Sequence, residues 1–225
     1  MAYDKRNRLY LSGEIITDAK FSHETFGEKF YEFMLSVKRL SGAVDVLPIV
    51  ISERLVDVDE LTVGKMVSFI GQIRTHNKID DNGSHLIISA FVTSGAEEEA
   101  NPNQVRLNGY ICKEPAYRCT PGGREVADIL VAVQRAYGKS DYIPCIVWGR
   151  NARFAEKLAV GDRVAVMGRF QSRKYYKRHT DGKVEEKIAY EVSVSQIAST
   201  ETDGESIDDI EEYFLSVDKE NDDGK

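Results

Sequence analysis

Apolar and polar residues alternate along most of this chain in short runs, the period of a strand with one face in a core. From Arg163 to Tyr175, Val164, Val166, Gly168 and Phe170 fall on one side. Arg163, Ala165, Met167, Arg169, Gln171, Arg173 and Tyr175 fall on the other. Between Tyr142 and Trp148, the compact apolar set Ile143, Cys145 and Val147 lies opposite Tyr142, Pro144, Ile146 and Trp148. The Val, Ile, Tyr and Phe content and the Gly-centred turns at Pro121-Gly122-Gly123 and Asp181-Gly182 favour strands. Helical segments are expected only at Glu53–Leu61 and Arg150–Leu158.

The pattern occurs twice. Asn7, Gly13, Arg39 and Pro48 match Asn103, Gly109, Arg135 and Pro144 at an offset of 96, and Gly64 and Gly71 match Gly161 and Gly168 at 97. Matches at so constant an offset, with the apolar run Phe33–Val37 repeated at Ile129–Val133, indicate a duplicated domain. Each copy reads as five strands with a helix between the third and fourth, the plan of an OB-fold, a small Greek-key barrel. The expected fold is all-β with short helices: two tandem OB-fold barrels over residues 1–95 and 103–198, a linker at 96–102, and a disordered acidic tail over 199–225.

Charge separates the two copies. Residues 1–95 hold 11 Lys and Arg against 13 Asp and Glu, and residues 103–198 hold 17 against 10. Residues 199–225 hold 2 against 11, so the formal net charge of -7 belongs to the tail and linker. The second barrel is basic enough to attract a polyanion. No apolar run approaches the roughly 20 residues of a membrane helix, and the basic residues Lys5 and Arg6 have no apolar segment behind them. A cytoplasmic, nucleoid-associated protein is expected. Cys112, Cys119 and Cys145 form no CxxC pair and the four histidines are scattered, so buried reduced thiols are expected and no metal or cofactor. The Gly122-Gly123 turn lacks the Lys-Ser/Thr of a phosphate loop, and no acid–base or nucleophile set is spaced for catalysis. The reading is of a non-enzymatic protein.

Rings interleaved with cations suit unpaired nucleic acid, in which bases offer faces for stacking and phosphates offer negative charge. The second copy resembles the OB-fold of bacterial single-stranded DNA-binding protein. The matching stretches are Asn103–Gly109, Gly123–Ala127, Ile143–Gly149 and Val164–Tyr175. That family stacks bases on four aromatic positions, and the resemblance places them at Tyr137, Tyr142, Trp148 and Tyr175. It also implies phosphate contacts at Arg150, Arg173 and Lys174. Strand face and repeat position add Arg106, Arg135 and Arg169, and the loop before Asp181-Gly182 adds Lys177 and Arg178.

Through the repeat, the four ring positions become Ser41, Val46, Ser52 and Lys78 in the first copy. That copy is expected to bind DNA weakly or by another surface and to stand in for a neighbouring subunit. The family assembles four OB-folds, so a homodimer of this chain is expected. The family's tail ends in acidic residues and Pro-Phe. Here Asp208, Asp209, Glu211 and Glu212 precede Tyr213 and Phe214, and Ile207, Ile210, Phe214 and Leu215 share one helical face. The tail is expected to recruit replication or repair proteins. Single-stranded RNA binding is one alternative. A second is an OB-fold pair that docks proteins as a primosome or phage accessory component. The expected role is sequence-tolerant single-stranded DNA binding in replication, repair or recombination.

Overall fold

The alternating runs become strands throughout the computed structural model, which describes residues 6–80, 83–135, 138–178 and 182–199. In the first repeat these are β1 (Asn7–Ile15), β2 (Lys20–Thr25), β3 (Glu28–Lys38), β4 (Val44–Ser52), β5 (Met66–Asp80) and β6 (Gly83–Gly95). In the second they are β7 (Asn103–Ile111), β8 (Ala116–Cys119), β9 (Glu125–Gln134), β10 (Ser140–Trp148), β11 (Arg163–Arg178) and β12 (Val184–Ser199). One helix, α1 (Arg150–Ala155), lies between β10 and β11.

The strand order β2-β3-β4-β6-β5-β1 recurs as β8-β9-β10-β12-β11-β7. Each row closes on itself, β1 pairing with β3 and β7 with β9. Closure leaves few open edges, which is how an OB-fold avoids edge pairing. Six strands appear per repeat instead of five because the first is bent. β1 and β2 both pair with β3, and β7 and β8 both pair with β9. Pro115, just before β8, cannot donate to the ladder and sits at the break in the second copy.

Register proves the duplication residue by residue. Ser36 faces Val46 and Glu14, while Ala132 faces Tyr142 and Tyr110, each shifted by 96. On the next pair of strands the offset is 97 for the partner: Gly13 faces Val67, and Gly109 faces Val164. The extra residue falls where α1 stands. Its counterpart, the expected helix Glu53–Leu61, forms only a 3-10 turn at Val58–Glu60, with Asp57 accepting from the Asp59 N–H at 3.1 Å. Val56, Val58, Asp57 and Asp59 are poor helix formers, whereas α1 buries Ala152 and Ala155 completely.

The barrels are filled from alternate positions. Leu9, Leu11, Leu35, Leu47 and Ile49 fill the first, and Val105, Leu107, Val131, Ile143 and Val164 the second, each at most 1% exposed. Each such side chain contributes about 1.5–3 kcal/mol through burial. The matched glycines mark where strands crowd. A Cβ on Gly109 would sit 2.5 Å from the Ala132 carbonyl oxygen, and one on Gly13 would strike that of Ser36. Gly109→Ala is therefore expected to cost about 1–3 kcal/mol, read as a lower denaturant midpoint with an unchanged slope.

Two compact units form. One is built on Val105–Gly168, the other on Leu9–Gln104 together with Arg169–Ser193. The outer reaches of β11 and β12 thus belong with the first repeat. There the Ser172 N–H donates to Asp45 Oδ1 at 2.9 Å, and the Val46 N–H donates to Ser172 Oγ at 3.0 Å. The repeat and the compact unit are different divisions of this chain.

Candidate nucleic-acid interface

Strand alternation sets the first part of the site. On β10, Ile143, Cys145 and Val147 are at most 2% exposed, while Tyr142 and Trp148 stand 48% and 38% exposed on the opposite face. The two rings are six residues apart on one strand, about 20 Å. Their ladder partners on β9 are Ala132 for Tyr142 and Val126 for Trp148. These neighbours are small or aliphatic. Ile146, between the rings, is buried at 4%. Beyond β9 the ladder brings Arg118 of β8 opposite Val126, and Arg118 forms an ion pair with Asp128. Arg118 carries no strand-period signature, and only the ladder places it on this face.

The expected cations divide by what they touch. Arg150 is exposed in the first turn of α1, directly after Gly149, whose φ of 56° redirects the chain. Arg106 is half-buried on β7. Arg135 grips Asp141, a carboxylate with 1% side-chain exposure. Its Nε donates to Oδ2 at 2.7 Å and its Nη2 to Oδ1. The first copy repeats this brace, with Arg39 Nε and Nη2 donating to Asp45 at 2.6 Å each. The arginine N–H also closes the hairpin loop in both copies, Arg135 to the Lys139 carbonyl and Arg39 to that of Ala43. Both guanidiniums are thereby bound up in holding a hairpin.

The expected cationic face of β11 is only partly open. Ala165 is fully buried against Ala198 and Met167, and Gln171 is 5% exposed. Arg163 Nε donates to Asn108 Oδ1 at 3.1 Å. Small side chains and amides seal this stretch, so period-two alternation overstated the exposed set. Arg169 is half-buried and donates from Nη2 to Gln171 Oε1 at 3.1 Å. Burial lowers its pKa, the charge of Arg39 adds to that, and Asp45 opposes it.

Farther along β11, in the unit with Leu9–Gln104, Arg173 forms a two-point pair with Glu191 at 2.9 and 3.1 Å. Glu191 is 7% exposed and also accepts from Gln171 at 2.9 Å. Lys174 Nζ lies 2.9 Å from Glu186. That hydrogen bond holds the ammonium above its ordinary pKa and the carboxylate below its own. Tyr175 is 37% exposed and Arg178 is exposed. Tyr176, passed over by the sequence reading, is 69% exposed and donates to Glu186 at 3.2 Å. Its signal was the doublet itself, since adjacent strand residues point to opposite faces. Tyr137, the side chain of Lys177, and the tail residues Ile207, Asp208, Asp209, Ile210, Glu211, Glu212, Tyr213 and Phe214 lie outside the described residues.

In the first copy the ring positions are occupied differently. Ser52 is buried and bonded to Glu28, Val46 is half-buried, and Lys78 is exposed. Rings gather instead on β2 and β3, where Phe21 meets Tyr31 edge-on at 6.1 Å and His23 stacks on Phe30 at 4.8 Å. None of the three cysteines forms a disulfide, and of the three only Cys145 is buried. Cys112 is half-buried and Cys119 exposed on β8, an edge strand, which corrects the expectation of three buried thiols. Among the described residues no group of three or more His, Cys, Asp or Glu is placed to hold a metal ion, and no helix is long and apolar enough to cross a membrane.

Over nearly the whole chain this fold is that of a solved structure, the wild-type single-stranded DNA binding protein from Thermus aquaticus. The TM-score is 0.70 at 17% identity, over 89% of this chain and 95% of that one. In sequence, a single-stranded DNA-binding protein of Bacillus cereus is 38% identical over 80 residues, 32% of this chain and 47% of that protein. Single-stranded DNA-binding protein 2 of Listeria innocua is 38% identical over 88 residues, 36% of this chain and 54% of that protein. The chain thus spans about half the length of the curated relatives it matches. The model of the single-strand binding protein family matches residues 102–199, from just before β7 to the end of β12. In sequence, the second repeat is thus similar to the single-strand binding protein family.

Proposed function

We propose that this protein binds single-stranded DNA without sequence preference and without catalysis, in replication, repair or recombination. The observation that carries the reading is the pair Tyr142 and Trp148, exposed on the sheet face opposite the buried apolar set Ile143, Cys145 and Val147. Counting β7 and β8 as one bent strand, this face belongs to the second and third strands of the barrel. OB-folds bind oligonucleotides on that surface. Large rings left in water at a strand face cost hydrophobic stabilisation unless a ligand covers them. Base stacking would cover them at about 1–3 kcal/mol per base.

Phosphate neutralisation falls to Arg150 and to the exposed cations of β11. Arg173 and Lys174 already have carboxylate partners, so a phosphate there exchanges with Glu191 or Glu186 and gains less than at a solvated cation. A homodimer would present four barrels, and the acidic tail would recruit replication or repair proteins.

Trp148 is the single tryptophan and so reports directly. Titrating the full chain with oligo-dT should quench its emission saturably, and log affinity should fall with log salt by about 0.7 per phosphate neutralised. Emission that stays constant while DNA binds by another measure would refute this face as the platform. A matched RNA oligonucleotide competing equally would widen the ligand to both nucleic acids.

A further inference from the structure

The ladder places one more ring on the platform. Tyr110 on β7 faces Ala132 on β9, and Ala132 faces Tyr142 on β10. Residues directly opposed in a ladder share a face, so Tyr110, Ala132 and Tyr142 form one row across three strands. Burial agrees: Tyr110 and Tyr142 are 41% and 48% exposed. The adjacent row, Ile111, Val131 and Ile143, is at most 1% exposed and belongs to the core. Gly109 makes the row possible. Its missing side chain lets β7 approach the Ala132 carbonyl closely enough to pair with β9 at this point.

The first copy has the same row with different chemistry. Glu14, Ser36 and Val46 occupy the positions of Tyr110, Ala132 and Tyr142. Identical backbone therefore carries two rings in the basic copy and none in the acidic one. The change at Tyr110 follows the change at Tyr142.

We infer that Tyr110 is a further stacking residue, taking an unpaired base as the strand passes across β9 from the Tyr142 position towards β7. The inference rests on the reading of the β9–β10 face as a single-strand platform. The two rings lie two strand spacings apart, about 10 Å. Ala132 between them is small, and both rings keep more than a third of their surface exposed.

The test uses the full chain and oligo-dT. Tyr110→Ala should weaken binding by about five- to a hundredfold while saturating DNA still quenches Trp148. Tyr110→Phe, which keeps the ring, should recover most of the loss. As an independent readout, Tyr110→Trp in a Trp148→Phe background should show quenching by saturating DNA. Unchanged affinity in Tyr110→Ala, or emission from the Tyr110→Trp reporter that is indifferent to DNA, overturns the inference while wild-type Trp148 quenching leaves the platform standing. An unquenched wild-type Trp148 sinks both.

Discussion

Alanine at Arg135 is expected to lower the stability of the folded protein by about 3 kcal/mol, with little effect on DNA affinity per folded molecule. The reason is Asp141. Its carboxylate is buried at 1% exposure and receives two donors from the guanidinium. Removing one partner of a buried pair leaves an uncompensated charge, a loss of about 3–5 kcal/mol. The lower end applies because Arg135 keeps a quarter of its side chain in water, 26% exposed, and water can enter the vacated space. Arg135→Lys should recover only part, since an ammonium cannot supply the planar two-point fork.

Denaturant unfolding measures the loss, and oligo-dT titration at a temperature where the variant is folded measures the rest. Arg150→Ala is the contrast: exposed and at a helix start, it should leave stability within about 0.5 kcal/mol and lower the salt slope by about 0.7. If Arg135→Ala were fully stable and lost DNA affinity with a reduced slope, Arg135 would be a phosphate ligand instead of a brace.

The second large effect is on binding. Tyr142→Ala with Trp148→Ala should reduce oligo-dT affinity by about 2–6 kcal/mol if each ring contributes about 1–3 kcal/mol. That range starts near thirtyfold and extends beyond what most assays follow. The two effects need not add, because one strand bridges both rings and ordering it has a shared entropic cost. Both side chains are on the outer face and exposed, so the double variant should fold, and circular dichroism with an unchanged denaturant slope would verify it. Retention of oligo-dT by the folded double variant at the wild-type salt slope would remove the stacking face from the mechanism and leave only electrostatics.

Much of the architecture was legible because its signals are local or repeated. An alternation of apolar and polar residues needs only neighbours to be interpreted, and it correctly sent Ile143, Cys145 and Val147 inward and Tyr142 and Trp148 outward. The glycine and proline anchors carried the duplication, since each of Gly13 and Gly109 answers a steric demand of the barrel that a Cβ would violate. The helix expected at Glu53–Leu61 failed for a local reason as well, its valines and aspartates forming only a 3-10 turn.

The cations resisted the same treatment. An arginine on an outward strand position looks alike whether it faces solvent or a carboxylate. Arg173 is tied to Glu191 on the next strand, and Arg135 to Asp141 across a hairpin loop. Arg163 is half-buried and bonded to Asn108, and Gln171 is buried, although alternation placed them beside Arg173 and Tyr175.

Residue order alone thus settled the duplicated barrels, the inward and outward sides of each strand, and the concentration of rings and positive charge in the second copy. Those properties follow from the period of two and from composition. Folding decided which arginines are consumed as braces, which reach of β11 is covered, and that Tyr110 stands in line with Tyr142. Barrel closure chooses the neighbour across each ladder, bringing β7 against β9 and β12 against β10. No periodicity within a single strand encodes what will lie beside it.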